Sequence, residues 1–270
     1  MTSLEQLLAQ MAREPAILVS VHSTRGSVPR EKGAWMAVFA QNFVGTVGGG
    51  HLEFEALASA RQRLKDSGGE EFERFPLGPA LGQCCGGEVT LRFERVSAGD
   101  AARLTRRLTP HQFPLALFGG GHVGHALVPV LANLPLAVTW IDSRDEIFPQ
   151  ALPSNVVCEH SDPVHQAVAA LAPDSRVLIM SFSHAEDLDV VAACLLRQRE
   201  KADLPYIGLI GSKTKWATFQ HRLEARGFSE NEMAQVTCPI GVPGIVGKEP
   251  AVIAIAIAAQ ILQTLTKRSA

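Results

Sequence analysis

The sequence predicts an α/β protein in two parts: a small N-terminal α+β domain over residues 1–108 and a C-terminal Rossmann-like domain with a parallel sheet over residues 113–270. Three observations lead there. Leu115–Asp142 reads as apolar strand, glycine turn, helix, second apolar strand and acid. The chain after residue 112 goes on alternating apolar strand runs with helical spacing. The first hundred residues instead hold shorter strands separated by three loops rich in glycine. Alternation of strand and helix signals a parallel sheet covered on both faces, whereas clustered strands with few helices signal an α+β unit.

Taken in order, MTSLEQLLAQMAREP opens the chain as a short amphipathic helix without the basic start and apolar run of a secretory leader. Ala16–His22 reads as a strand, followed by the turn-forming residues Ser23–Arg30. Ala34–Ala40 and Phe43–Val47 read as a hairpin about Gln41-Asn42. Gly48-Gly49-Gly50 then precedes a helix from His51 to about Lys65. Strands at Glu71–Phe75 and Glu88–Arg95 enclose Gln83-Cys84-Cys85-Gly86-Gly87, and Ala98–Arg107 is a short polar helix. Thr109–Gln112 is the linker. Beyond the opening βαβ unit, strands are expected at Val156–Cys158, Val177–Ser181 and Tyr206–Ile210. Helices are expected near Pro163–Leu171, Glu186–Glu200 and Lys215–Arg226, with a last one from after Pro250 to about Thr266.

Composition narrows the class. With 270 residues, 46% hydrophobic and 19% charged, the chain can bury real cores. A formal net charge of −2 argues against nucleic acid or an anionic membrane as the main partner. Ala251–Ala259, the most apolar stretch, is too short to span a bilayer. Five cysteines, an odd set with no CxxC pair, suit a reducing compartment rather than a disulfide framework or structural zinc site. The expected location is the cytoplasm.

Four stretches can carry chemistry. Gly119-Gly120-Gly121-His122-Val123-Gly124 is a G-x-G-x-x-G, and Asp142 follows Gly124 by eighteen residues. The first glycine permits a tight turn, the second lets phosphate approach the backbone, and the third lets helix and strand pack. The helix N-terminus then favours an anion. The same turn also serves as a plain connection, and the bulk of His122 and the nearness of Arg144 to Asp142 weigh against ordinary NAD binding. Gly48, Gly49 and Gly50 form a second concavity of free N–H groups, with Arg25, Arg30 and Lys32 on the neighbouring loop. Glu53 and Glu55 are accounted for by the helix dipole alone.

Cys84 and Cys85 among glycines offer either a soft ligand for a metal or sulfur centre, or two small buried thiols at a turn. Finally, Ser183, His184, Ser212 and Lys213 follow strands whose C-terminal ends are where ligands bind in such folds. Ser183 reads best as a helix cap with Glu186 completing a capping box. Ser212 and Lys213 read as anion contacts.

Several of these segments together resemble the XdhC/CoxI family: GSVPREKGAWM, GTVGGGHLE and QCCGG in the first half, and FGGGHVGHAL, SFSHAEDLD, YIGLIGSKTK and CPIGVPGIVGKEPAVIAIAIAAQIL in the second. Where many relatives have Thr-His after the fourth Rossmann strand, this chain has Ser183-His184. The resemblance implies an accessory protein that binds molybdenum cofactor (molybdopterin), protects it while a cysteine desulfurase installs the terminal sulfido ligand, and delivers it to apo-xanthine dehydrogenase. It also implies Cys85, beside Gly86-Gly87, as the better thiol for contacting the molybdenum centre, with Cys84 second. A homodimer is among the assemblies this reading allows. Two other readings stay open: an NAD(P)-dependent oxidoreductase using His184 as acid or base, and an adaptor that touches desulfurase and target enzyme but no cofactor.

Overall fold

The computed structural model describes residues 3–66, 70–77 and 87–265. It divides into two compact units, residues 1–109 and 110–270.

In the first unit, helix α1 (Ser3–Met11) precedes strands β1 (Ala16–Arg25), β2 (Trp35–Val38) and β3 (Phe43–Gly45). Helix α2 (Gly50–Lys65), strands β4 (Glu71–Pro76) and β5 (Glu88–Val96), a 3₁₀ turn and helix α3 (Ala101–Leu108) complete it. The five strands form one sheet in the order β3-β2-β1-β5-β4, antiparallel throughout. Side chains alternate across a strand, so Ile17, Val19 and Val21 meet α2 through Leu52, Ala56 and Ala60. Ala16 and Leu18 face the other way, onto Leu7 and Met11 of α1 and Leu104 of α3.

β1 outruns the expected Ala16–His22. After an irregularity between Val21 and Ser23 it continues as exposed Ser23–Arg25, held by backbone pairing to Glu88–Thr90 of β5. An apolar pattern cannot signal a segment kept in the sheet by backbone pairing alone. The expected helix from Ala98 to Arg107 begins as a 3₁₀ turn, Ala98–Asp100, because Ser97 and Asp100 close a capping box before α3 starts.

The second unit contains strand β6 (Phe113–Phe118), helix α4 (His122–Leu131) and strands β7 (Leu136–Asp142), β8 (Val156–His160) and β9 (Arg176–Ile179). Helix α5 (His184–Lys201), strand β10 (Tyr206–Leu209), helices α6 (Lys213–Glu224) and α7 (Glu230–Met233), strand β11 (Val236–Thr237) and helix α8 (Pro250–Gln263) follow. All six strands are parallel, in the order β8-β7-β6-β9-β10-β11, so β6 and β9 are neighbours where the direction of winding reverses. Every residue of β9 is buried, as a strand covered on both faces requires. Leu115, Leu117 and Trp140 pack under α4 and α8, while Ala116, Phe118 and Ile141 pack under α5, α6 and α7.

The segment expected as a helix near Pro163–Leu171 is a 3₁₀ helix, Val164–Ala170. Its buried Val164 and Ala167 stand three apart, matching three residues per turn. α7 and β11 were not expected from the pattern, each being too short to show a period. Among the described residues, no helix is long and apolar enough to cross a membrane.

Candidate functional site at the carboxyl edge of the parallel sheet

The three motif glycines of the turn after β6 are of two kinds. Gly119 has φ +120°, and a Cβ there would lie 1.9 Å from the Met180 carbonyl oxygen at the end of β9. Gly124 would place a Cβ 2.3 Å from the Gly119 oxygen, so its bare face lets α4 close onto the turn. The Trp140 indole N–H donates to that same Gly119 carbonyl at 3.0 Å. These two glycines are required by packing. Gly121 differs: its φ is −75°, open to any residue, and a Cβ would meet nothing within 4 Å. Next to it His122, the first residue of α4, is exposed.

Asp142 lies at the end of β7 and is 1% exposed. Its Oδ2 accepts from the Gly120 backbone N–H at 2.6 Å and from Arg144 Nη2 at 3.0 Å. Its Oδ1 accepts from the Arg144 backbone N–H at 2.9 Å and from Arg144 Nε at 2.8 Å. The acid at the position that bonds a ribose hydroxyl in dinucleotide-binding folds is therefore bonded within the chain.

Burial opposes ionisation of this carboxyl, but the hydrogen bonds from Arg144 and the Gly120 N–H outweigh it and hold the pKa below the ordinary aspartate range. A folded pKa below the unfolded one adds stability that is present above the unfolded value and lost as pH falls through the folded pKa. Urea midpoints measured from neutral pH to below about 4 should show wild type losing its advantage over Asp142→Asn as the medium becomes acidic. An advantage that stayed constant across that range would contradict the assignment.

The loops after β9 and β10 complete the edge. Ser183 caps α5, its Oγ accepting from the Glu186 N–H at 3.2 Å, so the helix starts at His184 rather than at Glu186. Ser212 caps α6 in the same way through the Lys215 N–H at 3.1 Å, and that helix starts at Lys213. Both hydroxyl oxygens serve the backbone, while His184 and Lys213 are exposed at the first helical positions. Beneath them, Asp187 is almost fully buried. It accepts from the Ser181 N–H at 2.7 Å and from Lys215 Nζ at 2.6 Å, and Lys215 also donates to the Ile210 carbonyl at 2.8 Å. Lys215 and its tie to Asp187 were missed in the sequence, where twenty-eight residues separate the partners.

The structure thus gathers Gly119, Gly121, His122, Gly124, Asp142, His184, Ser212 and Lys213 along one edge of the parallel sheet. Gly48, Gly49, Gly50 and Arg30 belong to the first unit. There the turn's N–H groups are largely occupied: Glu53 Oε2 accepts from Val47 and Gly49 N–H at 3.2 and 3.3 Å, and from the Thr46 hydroxyl. The Gly48 N–H donates to Thr46 Oγ1 at 3.1 Å. Glu53, explained in the sequence by the helix dipole, in fact fills the concavity expected to hold an anion.

Cys84, Cys85 and Gly86 lie outside the described residues. The ends of their segment are described: the Leu77 N–H donates to the Gly87 carbonyl at 2.7 Å. A Cβ on Gly87 would lie 2.3 Å from the Ser27 oxygen, and Pro29 of that same loop packs on Gly48. Gly87 therefore lies beside the loop that carries Arg30, and the Gly48 turn meets that same loop. Among the described residues, no group of three or more His, Cys, Asp or Glu side chains could hold a metal ion.

A six-stranded parallel sheet ordered about a glycine turn, with its helices on both faces, defines a dinucleotide-binding-type Rossmann domain. The comparisons with known proteins narrow this further. Residues 115–261 match the XdhC Rossmann domain and residues 9–76 match the XdhC and CoxI family, and the chain belongs to that family. It is 27% identical over 256 residues to the uncharacterized protein YqeB of Escherichia coli (strain K12). That alignment covers 92% of this chain but 43% of YqeB, so the chain spans less than half of that relative's length. The crystal structure of a xanthine dehydrogenase from Bacillus halodurans superposes with a TM-score of 0.80 at 20% identity, over 99% of this chain and 97% of that one. This last likeness shows a shared fold.

Proposed function

We propose that this protein is a carrier for molybdenum cofactor: it binds the cofactor, shields it while a cysteine desulfurase supplies the terminal sulfido ligand, and passes it to apo-xanthine dehydrogenase without catalytic turnover of its own. Membership of the XdhC and CoxI family supports the class. The sequence GKEPAVIAIAIAAQ at residues 247–260 adds to it by resembling a xanthine dehydrogenase accessory protein.

The observation that carries the reading is Gly121. Neither its φ nor its packing calls for glycine, yet the missing side chain leaves open space at the N-terminus of α4. A phosphate approaching backbone N–H groups needs that space. The cofactor's terminal phosphate is proposed to bind there, beside exposed His122. Its molybdenum centre, which supplies redox chemistry and an exchangeable sulfido ligand when bound, needs a soft donor instead. The thiol proposed to contact the molybdenum centre rests on the family resemblance alone, which implies Cys85 first and Cys84 second. Arg30, on the loop against which Gly87 packs, is proposed as a positive charge for the cofactor.

Gly121→Val tests the phosphate assignment cleanly. Because the position has an ordinary φ and open space, the variant should fold, its stability lowered by no more than about 1 kcal/mol through the loss of a favoured N-cap residue. Its pterin content, after co-expression with a cofactor-producing system, should fall at least about tenfold, corresponding to 1.4 kcal/mol of binding. A folded Gly121→Val protein with undiminished pterin would move the phosphate away from this turn.

A further inference from the structure

Taking the carrier reading for the ligand, we infer that Arg144 sets the specificity of the glycine turn by closing it to ribose-bearing ligands, so that nucleotides and dinucleotide forms of a cofactor are rejected while a ligand without a ribose diol is admitted. In dinucleotide-binding folds the acid at the end of the second strand accepts from ribose hydroxyls. A carboxylate offers about four acceptor positions, and Asp142 uses four for hydrogen bonds within the chain, three of them to Arg144. The guanidinium grips both oxygens, the arrangement that makes an arginine–carboxylate contact strong and directional.

The same arginine spans the route that a dinucleotide would take. β7 and β9 lie on either side of β6 in the sheet. Arg144, after β7, lies 4.4 Å over the ring of Phe182, after β9, and this contact passes across the end of β6. A second tie runs in parallel, since Ser143 Oγ donates to Glu186 Oε1 at 2.8 Å and the Phe182 N–H donates to Glu186 Oε2 at 3.1 Å. Ile147 closes the adjacent side, its Cγ1 lying 2.6 Å from where a Cβ on Gly120 would be. The ribose position is thus filled, the pyrophosphate path is bridged, and the open space at Gly121 remains.

Calorimetric titration of ADP-ribose into the protein tests this without any bound pterin. Wild type should bind weakly or not at all. Arg144→Ala, which removes the two side-chain bonds and so frees one acceptor position on each oxygen of Asp142, should bind at least about tenfold more tightly, and adding Asp142→Asn to that variant should abolish the gain. ADP-ribose binding to wild type as tight as to Arg144→Ala would overturn the inference. So would a folded Arg144→Ala protein, checked by circular dichroism, that gains nothing. If Arg144→Ala does not fold, Arg144→Lys keeps the charge but gives up the two-pronged grip and should show the gain in smaller measure; no gain there would also overturn it. Absence of pterin from purified wild type would instead count against the carrier reading, so the two failures are separable.

Discussion

Gly119→Ala should unfold the Rossmann unit or bring it close to unfolding, at a cost of about 3–5 kcal/mol. Two independent penalties act at this position. A φ of +120° is a conformation that side chains rarely adopt, and the added Cβ would sit 1.9 Å from the Met180 carbonyl oxygen. That oxygen belongs to backbone at the end of β9, whose own N–H donates to Phe118 at 2.8 Å. Relief therefore demands separation of two central strands, or movement of the turn that Trp140 and Gly124 hold in place. Urea denaturation followed by tryptophan fluorescence should show the midpoint collapse, while Gly121→Val lowers it only by the small cost of a poorer N-cap residue. Equal stability of the two variants would contradict the different roles assigned to the first and second glycines.

Lys215→Met should be nearly as damaging, at about 3–5 kcal/mol, because it strips a buried carboxylate of its partner. The Asp187 side chain is 3% exposed and that of Lys215 is 11% exposed. Removing the ammonium leaves Asp187 with the Ser181 N–H alone among its hydrogen bonds at that end, and also orphans the Ile210 carbonyl. Lys215→Met combined with Asp187→Asn removes the charge together with its partner and should recover part of the loss. A double variant no more stable than Lys215→Met would show that the cost lies in packing against Gly211, along which the lysine stem runs, rather than in charge.

Much of the Rossmann unit was legible because local pattern and tertiary demand coincide there. Apolar runs such as Leu115–Phe118 are strands buried on both faces, and the helical spacing of Val123, Leu127, Val130, Leu131 and Leu134 marks α4 and its end, with Leu127 and Leu131 buried and the other three partly buried against the core. The glycines at 119 and 124 declared a turn and a close approach that the geometry requires. What escaped notice was short or long-range. β11 spans two residues and has no period to detect, although the Ser229–Glu232 capping box before α7 was there to be read. Ser143 meets Glu186 across forty-three residues, and no local rule links them.

The candidate site shows the same division. Ser183 announced its cap, its Oγ accepting from the Glu186 N–H. The expected capping box does not close, because the Glu186 carboxylate accepts from the Phe182 N–H and the Ser143 hydroxyl instead of the Ser183 N–H. Arg144 stood near enough to Asp142 in sequence to raise the question of neutralisation, but only the folded chain shows all four hydrogen bonds converging on one carboxylate. Glu53 is the instructive case. Its place in a first helical turn satisfied a simple electrostatic explanation, and that hid its contact with the very N–H groups that had suggested an anion site.

The carrier reading is tested most directly by molybdenum and pterin analysis of the wild-type protein, purified without oxygen from a cell that makes the cofactor, beside the Cys85→Ala protein. The expected result is near-stoichiometric pterin with molybdenum in wild type, and loss of both in a Cys85→Ala protein whose stability differs by no more than about 1–2 kcal/mol. Wild-type protein that carries no pterin under these conditions would contradict the reading.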